Sequence, residues 1–129
     1  MVHVEYELYE NDFRLAVRGH AGYAEKGKDI VCAGISALMR AFQVCFEQEL
    51  FLSDAAYVEK VVRDGFAHFA VQGIEDSELE ARIFYYFHMC IKGLRQLEKQ
   101  YPDYIAVTDI TALNRASDID TPEQTAENE

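Results

Sequence analysis

The sequence predicts an α+β fold in which a mostly antiparallel sheet of about five strands carries two helices, in the order β-β-α-β-β-α-β. Two observations lead to this prediction. Segments of alternating apolar and polar residues occur in two pairs, each joined by turn-forming residues, as in β-hairpins. Each pair is followed by a longer segment whose apolar residues lie three and four positions apart, which is typical of a helix with one buried face. Hairpins favour an antiparallel sheet with helices packed on it, and the order of the strands stays open.

The first hairpin covers residues 2–18. Apolar and polar side chains alternate over residues 2–8 and again over 13–18, which is the period of a strand with one buried face. Glu10-Asn11-Asp12 separates the two strands and consists of turn-forming residues. This hairpin therefore delivers His20 at its end.

The first helix is predicted to begin directly after Asp29. Apolar residues recur at helical spacing from residue 30 to residue 50. Aspartate is a favoured N-cap because its carboxylate accepts hydrogen bonds from the amides of the first helical turn, which have no other helical partner. Cys32 is then the third helical residue, at the end where the helix dipole favours a negative charge.

The second half of the chain repeats this pattern. Asp64-Gly65 joins the two strands of a second hairpin over residues 57–72 and is a strong two-residue turn signal. Ser77-Glu78-Leu79-Glu80 matches the capping box, so a second helix is expected to start at Ser77. Pro102 ends it, because proline cannot extend a helix, and residues 104–108 form a last short strand.

The second helix is unusually rich in aromatic residues. Four of them are consecutive: Phe84, Tyr85, Tyr86 and Phe87. This is more than one buried face of a small domain needs, so part of the cluster is expected either at a subunit interface or in a widely buried helix.

Length and charge limit the possible functions. The 129 residues fit one domain with one core, and we expect it to cover residues 1–109, with 110–129 as an acidic, flexible tail. The formal net charge of −11 repels phosphate backbones and anionic lipids, which disfavours direct nucleic-acid binding. The same charge steers a basic, extended peptide toward the protein.

The cysteines and the absence of a leader-like segment favour the cytoplasm. None of the three cysteines is in a Cys-x-x-Cys pair, and no basic-then-apolar leader opens the chain. No apolar run approaches the roughly 18 residues of a membrane span, so no membrane contact is expected. Cys45 and Cys90 fall on apolar helical faces and are expected in the core, while His3, His68 and His88 lack partners at metal-ligand spacing. We therefore expect no metal and no other cofactor.

A histidine and a cysteine enclose a glycine-containing segment. His20 precedes Cys32 by 12 residues, and Gly22 and Gly27 between them allow the loop to bring an imidazole beside the start of the helix. Both a helix N-terminus and a neighbouring imidazolium lower the pKa of a cysteine, and the thiolate is the nucleophile in covalent catalysis. Spacing alone fits a packing cysteine beside a loop histidine at least as well.

The residues around this pair form a longer motif. Gly19-His20-Ala21 is followed by Gly27-x-Asp29-Ile30-Val31-Cys32-Ala33-Gly34-x-Ser36-Ala37. These residues closely resemble the signature of the ribosomal-processing cysteine protease family, Prp, and a looser similarity extends over roughly residues 2–108. Members of that family are bacterial cysteine endopeptidases that remove a short N-terminal extension from a large-subunit ribosomal protein, L twenty-seven. They form homodimers and need no metal.

The resemblance implies that Cys32 is the nucleophile and His20 its general base, with the loop between them covering the site and moving to admit a ribosomal-protein precursor peptide. The residues expected to bind substrate or support the site are Gly22, Gly27, Asp29, Ala33, Gly34 and Ser36. On physical grounds Asp29 is either a helix cap or a charge near His20, and Ser36 lies one turn beyond Cys32 on the same face.

The expected reaction is acyl transfer through a thioester. The amides of Cys32 and Ala33 are expected to bind the oxyanion, because first-turn amides lack helical partners. The group that orients His20 stays open between Asp29, Glu25 and a backbone carbonyl.

Two other interpretations compete with the housekeeping protease. A non-catalytic dimeric adaptor would bind a basic peptide through its acidic surface and use Cys32 for packing only. A prophage-type relative would process another protein, which the long acidic segment after Ile110 favours. A redox sensor is the weakest alternative, because Cys32 has no resolving cysteine nearby in the sequence.

Overall fold

The computed structural model describes residues 1–50 and 55–113 and has the predicted α+β architecture. The elements in chain order are β1 (Val2–Tyr9), β2 (Asp12–Arg18), α1 (Ile30–Leu50), β3 (Tyr57–Arg63), β4 (Phe66–Gln72), α2 (Ser77–Gln100) and β5 (Ile105–Asp109). A further helical segment starts at residue 111. The predicted order β-β-α-β-β-α-β is confirmed, whereas most of the predicted acidic tail, from residue 114 onward, lies outside the described residues.

The five strands form one sheet in the order β3-β4-β2-β1-β5. The β1–β2, β2–β4 and β3–β4 pairs are antiparallel, as the two hairpins predict. The pair β1–β5 is parallel, with Val2 opposite Ile105. A parallel pair needs a long crossover, and α2 supplies it by carrying the chain from β4 across the sheet to the far side of β1.

Both helices contribute to one core against the sheet. Phe42 and Phe46 of α1 each meet Phe69 of β4 and Phe87 of α2 edge to face, which is a favourable arrangement for aromatic rings. The aromatic run of α2 is divided: Phe87 is fully buried, whereas Tyr85 is 58% exposed. One face of the run therefore belongs to the core and the other to the surface.

Helix α1 is more apolar than the sequence analysis expected. By length and composition alone, residues Ile30–Glu49 could cross a membrane, with a mean hydropathy of 1.5. The expectation that no segment reaches this limit is wrong. In the fold, Val31, Ile35 and Phe46 of this helix are buried in the core, whereas Ile30 and Val44 are more than half exposed.

The start of α2 differs from the prediction by one residue. Asp76, not Ser77, is the N-cap, and its carboxylate accepts hydrogen bonds from the amides of Glu78 and Leu79 at 2.9 and 3.0 Å. Ser77 is the first helical residue. Aspartate and serine are equally favoured N-cap residues, and the capping-box pattern therefore predicted Ser77 where the structure has Asp76.

The turn between β3 and β4 lies next to the end of β2. Gly65 has a φ of +73°, which the two-residue Asp64-Gly65 turn requires and glycine adopts without strain. The amide of Gly19 donates to the Gly65 carbonyl at 2.8 Å. This bond ties the turn to the residue directly before His20, and the hairpin thereby becomes part of the site.

Candidate active site

Asp29 fixes the start of α1 and the position of Cys32. Its Oδ1 atom accepts a hydrogen bond from the Cys32 amide at 2.9 Å, and its carbonyl accepts one from the Ala33 amide at 3.0 Å. The helix begins at Ile30, so Cys32 is its third residue, with a half-buried side chain. The predicted cap and the predicted position of Cys32 are confirmed.

The other carboxylate oxygen of Asp29 holds the loop that precedes the helix. Its Oδ2 atom accepts hydrogen bonds from the amides of Tyr23 and Ala24 at 3.0 and 3.4 Å. These donors, the Cys32 amide first among them, lower the pKa of the Asp29 carboxyl. One carboxylate therefore joins the loop to the helix, and Asp29 is a cap rather than a charge aimed at His20.

His20 follows β2 directly and lies on the β3–β4 turn. A Cβ atom placed on Gly65 would stand only 2.8 Å from Nε2 of the imidazole. Glu25, the other carboxylate considered as its orienting group, forms an exposed ion pair with Lys28 at 3.2 Å. Gly65 is thus the contact of His20 that sequence reasoning missed, because Asp64-Gly65 was interpreted only as a turn.

Cys32 and His20 line the same groove, which has a volume of about 820 Å³. The groove runs between α1, the loop of residues 19–29 and the end of the β3–β4 hairpin. Within the described residues no hydrogen bond joins the imidazole to the thiol. Catalytic hydrogen bonds often tighten only when substrate binds, so this geometry is compatible with a dyad at rest.

The Cys32 side chain has two other partners: its thiol is among the donors that lower the pKa of Asp29, and its sulfur accepts a hydrogen bond from the loop. The backbone amide of Ala21 donates to Sγ at 3.4 Å. Ala21 itself is buried in the core, with 3% of its surface exposed, whereas residues 22–28 that follow it are all exposed. One end of the loop is therefore anchored beside the sulfur.

The two amides that the sequence predicts as oxyanion donors are already hydrogen-bonded to Asp29. The Cys32 amide is bound by the Asp29 carboxylate and the Ala33 amide by the Asp29 carbonyl. The expectation that both are free is wrong, because it counted only partners within the helix and not those that the N-cap provides.

The family model described as cysteine protease Prp matches residues 1–106. The chain belongs to the Prp cysteine protease family. It shares with that family the protease and hydrolase class, and the resemblance drawn from the Gly19–Ala37 motif is confirmed.

Solved structures share the Prp fold. The ribosomal processing protease Prp from S. aureus, in complex with a covalently linked product peptide, has a TM-score of 0.60 at 20% identity, over 84% of this chain and 99% of that chain. A complex of the same protease with a substrate peptide has a TM-score of 0.58 at 20% identity, with the same coverage. The SMU.848 protein of Streptococcus mutans has a TM-score of 0.60 at 20% identity, over 84% of this chain and 93% of that chain. No curated protein matches the chain.

Most of the residues predicted from the Prp signature lie along the groove. Besides Cys32 and His20, the groove is lined by Gly22, Gly27, Asp29, Ala33 and Ser36. Gly34 is different: a Cβ at this position would lie 3.4 Å from the Leu97 side chain, so Gly34 faces α2. The signature glycine at position 34 belongs to helix packing rather than to the groove.

The groove of this Prp-family chain is not acidic, although the chain is. Three cations line it, Lys26, Arg40 and Arg63, against the carboxylates of Asp29 and Asp64. The three cations outnumber the two carboxylates, so the lining of the groove carries no excess of negative charge. Any steering by the net charge acts from the outer surface and not from the groove.

The remaining cysteines lie away from this site. Cys90 is buried, which raises the pKa of its thiol to about 12, and Cys45 is half-buried on α1. Over residues 1–50 and 55–113, no three His, Cys, Asp or Glu side chains converge as metal ligands.

Proposed function

We propose that this chain is a cysteine endopeptidase that removes the N-terminal extension of a bacterial large-subunit ribosomal protein, L twenty-seven. Cys32 is the nucleophile and His20 the general base. The observation that carries the proposal is the shared groove: in a member of the Prp family, the helix-start cysteine and the loop histidine of the signature face the same cleft.

The reaction follows from these two side chains. His20 takes the thiol proton of Cys32, and the thiolate attacks the scissile carbonyl carbon. The intermediate collapses when the C–N bond breaks and protonated His20 gives its proton to the leaving amine. Water then attacks the thioester, His20 accepts its proton, and Cys32 leaves as a thiolate. For the first step the imidazole has to come within hydrogen-bond distance of Sγ.

The groove suits an extended peptide. It continues from Cys32 along α1 past Ser36 and Arg40 to Gln43, and Val62 of β3 lines the opposite wall. Ile35 and Met39 add apolar surface to its lining. The related S. aureus protease has been solved with a substrate peptide and with a covalently linked product peptide. We propose that a peptide substrate of the present chain lies in this groove.

The setting of the activity is part of the proposal. We place the enzyme in the cytoplasm, as a homodimer that needs no metal or other cofactor, in line with the family resemblance. The exposed side of α2 is a candidate dimer surface, since Tyr85 and Met89 are 58% and 70% exposed there.

The test uses a peptide that spans the extension and the first residues of the mature ribosomal protein. Wild-type protein should cleave it at one bond, as measured by mass spectrometry. Cys32→Ala and His20→Ala should abolish cleavage, while Cys45→Ala, which removes a cysteine of the same helix outside the groove, should not. If the peptide stayed uncleaved with the wild type as well as with Cys32→Ala, the proposal that the chain is an endopeptidase would be refuted. Cleavage only of other peptides would favour the prophage-type relative.

The adaptor remains the second candidate, because the thiol and the imidazole are not hydrogen-bonded in the described structure. An adaptor would bind the peptide without cleaving it. Iodoacetamide separates the two: a catalytic thiolate reacts at neutral pH faster than a free thiol, whereas a packing cysteine does not.

A further inference from the structure

We propose that the backbone amide of Ala21 is a catalytic donor, which holds the Cys32 sulfur before the reaction and the oxyanion during it. This inference rests on the proposed function and adds to it a group that comes from the loop, not from the helix. It replaces the helical amides expected from the sequence.

The first support is the contact itself. The Ala21 amide donates to the reacting atom, Cys32 Sγ, at 3.4 Å. Its position is fixed on both sides, because the Ala21 methyl group is buried in the core and Cys32 is held by the cap. A donor that is already oriented costs no reorganisation during the reaction, which is the condition for effective electrostatic catalysis.

The second support is the state of the neighbouring amides. Four of them donate to Asp29: those of Tyr23 and Ala24 in the loop, and those of Cys32 and Ala33 in the helix. Each would have to break a hydrogen bond to the cap before it could bind an oxyanion. The hydrogen bond of the Ala21 amide, by contrast, goes to the atom whose charge changes in the reaction.

The chemistry explains how one amide serves twice. When the sulfur bonds to the carbonyl carbon, the π-electron pair moves to oxygen, and the sulfur becomes a neutral thioether and a weak acceptor. The oxyanion is bonded to the same carbon as the sulfur. The amide of Ala21 can therefore move its hydrogen bond from the weakly accepting sulfur to the charged oxygen beside it. When the C–N bond breaks, the pair returns to the carbonyl. Loss of the thiolate from the second tetrahedral intermediate restores the original contact.

The experiment removes this single N–H group. Cys32 is a natural ligation junction between a synthetic peptide of residues 1–31 and a recombinant segment of residues 32–129. Lactic acid in place of Ala21 keeps the methyl group and replaces the amide by an ester. The matched control carries lactic acid in place of Ala24, whose amide donates to the Asp29 carboxylate instead of the sulfur.

The Ala21 ester should lose about 10²–10³-fold in kcat/KM, the usual effect of losing one oxyanion donor. It should also label more slowly with iodoacetamide at neutral pH and bind a peptide aldehyde more weakly, with KM unchanged. The Ala24 ester loses one of the two loop contacts of Asp29, so it should change all three properties far less than the Ala21 ester does. Equal effects of the two esters, or full activity of the Ala21 ester, would overturn the inference. If the ligated wild type cleaves no peptide, the proposed function fails, and the labelling rates alone then decide whether this amide holds the sulfur.

Discussion

His20 and Gly65 are in such close contact that a methyl group on Gly65 would stand 2.8 Å from Nε2 of the imidazole. The two residues belong to different hairpins, and the bond from the Gly19 amide to the Gly65 carbonyl holds them together. The β3–β4 turn therefore forms one wall of the site and sets where the proposed general base lies.

Gly65→Ala should displace His20 and lower kcat/KM by at least about tenfold, because small misplacements of catalytic groups are costly. It should also destabilise the fold, since φ at this position is +73°. Gly73→Ala is the matched control: φ is +68°, and the new Cβ would meet Ala56, away from the groove. Peptide cleavage is compared at a temperature where both variants are folded. Equal activities would show that Gly65 serves the turn alone.

Asp29→Ala should lower the melting temperature and slow cleavage, because one change removes the helix cap and both loop contacts. The pKa of Asp29 is lowered below its usual value of 3.8, chiefly by the Cys32 amide. Its stabilisation is therefore complete above that value and disappears as pH falls through the lowered pKa. Thermal unfolding of the wild type and of Asp29→Ala between neutral and strongly acidic pH measures the difference between their melting temperatures. If the difference in melting temperature between the two proteins stayed constant down to the lowest pH, the stabilisation would not come from the ionised carboxylate.

Cys90 should remain unmodified by iodoacetamide in the folded protein at mildly alkaline pH. Burial raises the pKa of its thiol to about 12, and the thiolate is the reactive form. Mass spectrometry on a Cys45→Ala variant, which leaves Cys32 as the only competing thiol, should find one fast adduct, at Cys32. In denaturant both cysteines should react. Rapid native labelling of Cys90 would mean that the core around it opens.

Tyr86→Phe should reduce the free energy of unfolding by about 1 kcal/mol, the usual contribution of a hydrogen bond. The Tyr86 hydroxyl donates to Glu49 at 2.7 Å, and Arg82 donates to the same carboxylate at 2.9 Å, so this cluster joins the two helices. Tyr57→Phe is the control, because that side chain is 41% exposed and lies outside the candidate dimer surface. Denaturant unfolding should give a lower free energy of unfolding for Tyr86→Phe than for the control. Equal free energies would mean that the cluster does not contribute measurably to stability.

Local patterns were sufficient for the elements and for the start of α1. The alternation in β1 and β2, the Asp64-Gly65 turn and the Asp29 cap each depend on residues close together in the sequence, and the structure confirms all of them. The order of the strands was not predictable, because the same hairpins can be arranged in more than one sheet.

The site was predictable as a pair of residues but not as a geometry. The signature gave Cys32 and His20, yet the contact of His20 with Gly65 joins residues of separate hairpins and appears only when the sheet is assembled. Residue types also do not encode backbone directions. The donation from Ala21 to the sulfur and the bonds that occupy the amides of Cys32 and Ala33 depend on those directions.

The parallel pairing of β1 with β5 has a consequence for biosynthesis. β1 leaves the ribosome long before its neighbour β5, so translation must pass Asp109 before the two strands can pair. Until then the β5-facing edge of β1 is unpaired, and exposed edges recruit other strands. Contacts of such long sequence separation also slow folding. The nascent chain therefore depends on finishing synthesis before it aggregates, and a product truncated within α2 should be insoluble.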